Sequence, residues 1–143
     1  MPPRNPAFWD GAAWALRMVL VLAHLLFGVI AIVRPNIPLL FKGYSAFDDS
    51  LPFAWWGLWN LAAALVLWLV PTRVPFGLIS TILSAFLLFF IGAMFGTGGG
   101  LLFGTAIFYA FGVAAGVLFM RSLWLYMVKV RWFQRYVLRG PHA

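Results

Sequence analysis

Four long apolar runs, each with its charges confined to the ends, constrain this chain more than anything else in it. They cover residues 14–33, 53–70, 74–95 and 101–120 or slightly beyond. At ~1.5 Å per residue, a run of about 18 to 22 residues makes a helix of roughly 27 to 33 Å, which matches a hydrocarbon core of ~30 Å. Lipid offers the backbone no hydrogen-bond partners, so a chain crossing it in such runs folds as α-helices. The expected fold class is therefore all-α, an integral membrane four-helix bundle. Composition agrees: 64% of the residues are apolar and 9% charged, whereas soluble domains are roughly a quarter charged.

Breakers separate the runs. Pro35 and Pro38 follow the first, and Pro52 precedes the second. Pro71 and Pro75 bracket a tight turn before the third, and the glycine-rich stretch 96–100 precedes the fourth. Lost donors and permissive dihedrals stop helices at such points. The expected organisation is an N-terminal segment over 1–13, a four-span domain over 14–125, and a basic helical tail over 126–143. A signal peptide is the competing reading of the first run, because Arg4 and Arg17 precede it. It ends in Ile32-Val33-Arg34-Pro35, with no small-x-small pattern, and is read as a retained helix.

Four spans put both termini and the second loop on one side. That side carries Arg4, Arg17, Arg73, Arg121, Lys129, Arg131, Arg135 and Arg139. The other side carries Arg34 and Lys42, with Asp48 and Asp49 beside them. The positive-inside rule then predicts both termini in the cytoplasm. A formal charge of +7 placed at span ends suits anionic headgroups, and no nucleic-acid partner is expected. Arg131, Arg135 and Arg139, spaced by four on the tail, are the expected contacts to anionic lipid. Trp14, Trp55, Trp56, Trp59, Trp68 and Trp124 stand near span ends, as amphipathic rings at the headgroup level do. The long connection 34–52 is expected to lie along the interface or dip back over the bundle, a plain spacer being the alternative.

Polar residues within the spans are few. Asp10, Arg17, His24 and Ala31 recur every seven residues, close to one side of a helix. Arg17 is expected to snorkel. His24 sits deeper, where an imidazole serves a proton path, a metal or a pH gate, or simply bridges helices. His24, Asn60, Ser80 and Ser84 form the candidate polar path or helix-contact set, with Thr81, Thr105 and Tyr109 as further interhelical groups. Gly92 and Gly96, and Gly112 with Gly116, have the four-residue spacing that lets helix backbones approach. No cysteine is present, which removes thiol catalysis, disulfides and thiolate metal sites. A single intramembrane histidine without carboxylate partners is a poor metal site, so no metal and no cofactor are expected. Catalysis needs a nucleophile, a base and a charge stabiliser that converge, and the chain is read as non-enzymatic. The stretch 96–104 lacks the Gly-Lys-Ser/Thr ending of a phosphate-binding loop.

His24-Leu-Leu-Phe-Gly28, the proline break after it and the aromatic run Trp55-Trp-Gly-Leu-Trp59 resemble small four-span membrane proteins of tailed bacteriophages, some called holin-like. The likeness rests on span count, size and basic tail. It implies accumulation in the bacterial host inner membrane and lesion formation during lysis. No span has a strongly polar face, which argues against a wide aqueous pore. The expected function is thus a small non-enzymatic membrane protein, self-associating and holin-like. The alternatives are an accessory subunit or assembly factor of a larger membrane complex, and a small ion or solute channel. The expected partners are the lipid bilayer and either further copies or other membrane subunits.

Overall fold

A computed structural model describes residues 6–71, 74–98 and 102–129, and every regular element among them is helical. Four helices are long: α1 (Pro6–Val33), α4 (Phe53–Leu69), α5 (Pro75–Thr97) and α6 (Leu102–Lys129). Two short ones, α2 (Ile37–Leu40) and α3 (Ser45–Ser50), lie in the first connection with a 3-10 turn over Lys42–Tyr44 between them. The expected spans match the long helices closely, running one residue past α4 at Val70 and starting one residue before α5 at Val74. α1 begins eight residues before the expected start at residue 14, and α6 continues unbroken to Lys129. The tail residues Arg131, Arg135 and Arg139 lie outside the described residues.

Three segments, Asp10–Val33, Pro75–Thr97 and Phe103–Lys129, are long and apolar enough to cross a membrane. The fourth candidate is a bent pair, Lys42–Ser50 with Phe53–Leu69, turned by 84° at the break. The bend has a plain cause: Leu51 and Pro52 are extended, with φ/ψ of −153°/148° and −50°/134°. The chain is membrane-integral by this measure.

α1 packs chiefly against α4, and α5 against α6, each pair antiparallel; thinner seams join the pairs. The α1–α4 crossing is close because two glycines oppose each other. A Cβ on Gly57 would lie 2.9 Å from the Gly28 carbonyl oxygen, and one on Gly28 would lie 2.8 Å from Leu61. Neither glycine belongs to a Gly-xxx-Gly pair.

Buried side chains on α1 and α4 fall into two clusters separated by one polar residue on each helix. Leu20 and Val21 pack with Ala64 and Leu67 toward the termini. Phe27 and Ala31 pack with Phe53 and Trp56 toward the α2–α3 connection. His24 and Asn60 stand between them. The connection is not a spacer. Phe47 of α3 is fully buried, its ring centroid 5.2 Å from Phe95, 5.5 Å from Phe53 and 5.6 Å from Trp56. The expectation that it dips back over the bundle holds for this part, while Leu39, Leu40 and Phe41 stay exposed. Trp55, Trp59 and Trp68 face outward as expected, but Trp56 is buried and donates from Nε1 to the Phe47 carbonyl at 3.3 Å.

Candidate functional site

The seven-residue face of α1 turns inward and carries the polar contacts of the interior. His24 is wholly buried and touches two other helices. Its Nδ1 lies 2.8 Å from Asn60 Oδ1 on α4, and its Nε2 lies 2.7 Å from Ser84 Oγ on α5. Asn60 Nδ2 donates to the Trp56 carbonyl at 2.7 Å, one turn back on its own helix. That bond turns the amide oxygen toward the imidazole, so Nδ1 carries the proton. Nε2 is then the acceptor, and the Ser84 hydroxyl donates to it. A charged imidazole without a carboxylate would be costly at this depth; this arrangement leaves it uncharged and doubly bonded. The chain from the Trp56 carbonyl to Ser84 ties α1, α4 and α5 together, across the seam between the two helix pairs.

Hydroxyl, imidazole and amide in this order also form the arrangement of a nucleophile, its base and the group that orients the base. Catalysis needs in addition a space beside the nucleophile and donors for a developing charge. Ser84 and His24 are both fully buried. The apolar groove of about 580 Å³ between α4 and α5 is lined by Ser80, Leu83 and Leu87, and Ser84 is not part of its wall. The three hydrogen bonds clamp α1, α4 and α5 to one another.

Ser80, expected beside Ser84, turns to its own helix and donates to the Gly77 carbonyl at 2.8 Å. Thr81 likewise bonds Leu78 at 2.9 Å. Thr105 was expected to bridge helices. Its Oγ1 is buried with no hydrogen-bond partner, on the side of α6 that faces Gly96. Gly92 and Gly112 are closely covered: a Cβ on either would lie 3.0 Å from the ring of Tyr109 or Phe89 respectively. Gly96 has ordinary contact distances, and Gly116 has nothing within 4 Å. Within the chain, then, Phe89 covers Gly112 but not Gly116 on the next turn of α6.

Charged residues seal the ends of α4. At 17 residues, this helix is about 25 Å long, so its ends sit close to or within the apolar layer. The last carbonyls of a helix have no partners of their own. Arg17 supplies them: Nε donates to the Leu67 carbonyl, and Nη2 donates to Trp68 at 3.1 Å and Val70 at 2.7 Å. The expected snorkelling toward water is replaced by capping of a neighbour. At the other end, Asp48 Oδ1 accepts from the Phe53 amide at 3.0 Å. An acid at the N-terminus and a base at the C-terminus both complement the helix dipole. Asp10 and Arg121 form an ion pair at 2.8 Å between α1 and α6. Among the described residues, no three His, Asp or Glu side chains are grouped to hold a metal ion. The chain matches no family model, no curated protein and no solved structure.

Proposed function

We propose that this chain is a non-enzymatic, multi-pass membrane protein that works by association within the bilayer. On this reading its four long helices cross a bacterial inner membrane as one bundle, with both termini cytoplasmic. The excess of Lys and Arg on the terminal side supports that orientation. The association is with further copies of the chain, and the holin-like reading is its lesion-forming version.

The observation that carries this reading is the contrast between α5 and α6. Half of the most apolar stretch of α5 is buried within the chain, against 17% for α6. A helix with so few residues enclosed by its own chain has an open side for another. The enclosed His24 clamp supports the same reading, since it spends the central polar groups on holding helices together.

The absence of cysteine makes the test simple. Ala106 and Ala110 lie on the exposed side of α6. Single Ala106→Cys and Ala110→Cys variants should form disulfide-linked dimers in native membranes. Monomer alone at both positions would overturn self-association and leave the accessory-subunit reading. Membrane potential recorded during expression separates the versions: collapse supports a lesion-former, and an unchanged potential at high expression removes the holin-like one. Labelling of Ser84 by a serine-reactive phosphonate would contradict the non-enzymatic reading.

A further inference from the structure

The open space at Gly116 is the floor of a groove between α5 and α6. The groove encloses about 610 Å³, has almost wholly apolar walls that include Ala85, Phe89, Val113 and Val117, and ends at Arg121. We propose that it holds one acyl chain of an anionic phospholipid from the leaflet on the side of the two termini, with the phosphate at Arg121. The proposal rests on placement in a membrane and not on self-association.

Three observations select this occupant. First, from Val113 to Arg121 the groove runs about 12 Å along α6. That is close to half of a ~30 Å hydrocarbon core: room for a chain from one leaflet, and short for a second spanning helix. Second, the cation stands at one end only. The apolar groove between α4 and α5 has no charged residue in its wall, so nothing there selects a headgroup. Third, Arg121 is held in place. Its Nη2 donates to Asp10, which fixes a guanidinium whose five donors form a planar fork suited to phosphate. Trp124, one turn further along α6, is exposed at the level expected for the headgroups.

The test uses the full chain reconstituted in bilayers, with spin-labelled phosphatidylglycerol and spin-labelled phosphatidylcholine as probes. Arg131, Arg135 and Arg139 are changed to Gln in every sample, which removes the tail's own attraction for anionic lipid. The protein should retain phosphatidylglycerol over phosphatidylcholine by about fivefold, the effect of one cation near the surface. Arg121→Gln should abolish the preference. Asp10→Asn, which keeps the guanidinium but loosens its hold, should weaken the preference without abolishing it. Gly116→Leu fills open space and is compatible with the fold. It should abolish the preference while leaving helix content unchanged by circular dichroism. Equal retention of the two lipids by the parent protein would overturn the proposal, as would a preference that survives Gly116→Leu. Dispersal of an oligomer by Gly116→Leu with lipid preference intact would place a second copy in the groove instead.

Discussion

The two ends of the molecule are built from different materials. Toward the α2–α3 connection the interior is aromatic: Phe27, Tyr44, Phe47, Phe53, Phe95 and Phe108 meet ring to ring, with Tyr44 and Phe95 only 4.8 Å apart. Toward the termini it is small and aliphatic, with Leu20, Val21, Ala64, Ala85 and Ala115. Large rings fill the space between helices and draw the connection down as a cover. Small side chains leave a groove at Gly116, and there the helix ends are held by Arg17 and by the Asp10–Arg121 pair. One end is closed by packing, the other is tied by charge and open to lipid. The difference matters because lipid is as apolar as the interior, so burial alone gives helices little reason to associate. Shape fit and polar contacts must do what the hydrophobic effect does in water.

The largest effect is expected where packing closes the molecule. Phe47→Ala should cost about 3 kcal/mol, mainly through the cavity left among five rings, measured by reversible unfolding in mixed micelles. A loss below about 1 kcal/mol would mean that the connection is a loose cover and that the comparison fails. At the other end, Arg17→Met keeps the apolar stem but strips three carbonyls of their donors. It should cost about 2 kcal/mol, and backbone exchange at the end of α4 should speed up while exchange at its start does not. Between the two ends, Asn60→Leu leaves the His24 Nδ1–H without an acceptor and should cost about 1 to 2 kcal/mol. His24→Gln retains a donor and an acceptor and should still insert and fold; loss of insertion would show that the imidazole shape itself is required. The smallest effect belongs to Asp10→Asn, below about 1 kcal/mol and shrinking with added salt, because the pair is partly exposed.

Much of this plan is legible in the sequence, for reasons that vary by feature. Span lengths follow from uninterrupted apolar runs, and the inward face of α1 follows from the spacing of Arg17, His24 and Ala31. His24, Asn60 and Ser84 stand out because polar atoms inside a span must find partners. What the pattern does not contain is which helix lies beside which. Gly28 and Gly57 are unremarkable on their own helices and become a contact only when α1 crosses α4. Arg17 reads as a snorkelling cation until the short α4 ends beside it. Gly112 and Gly116 look alike in sequence, yet a single ring, Phe89, covers one and leaves the other bare. Phe47 is the same lesson in a loop: the sequence allows its connection to fold back over the bundle but does not mark this ring as the one that enters the core.

The buried polar groups hold the helices together in one fixed arrangement. Only two histidines are present in the chain, His24 and His142, so 15N solid-state NMR of imidazole-labelled protein in bilayers reads His24 directly. The spectrum should show a single uncharged form, protonated at Nδ1 and accepting at Nε2, unaltered by bulk pH across the neutral range and slow to exchange with D2O. A mixture of tautomers, an imidazolium that follows the bulk pH, or exchange as fast as that of an exposed histidine would contradict it.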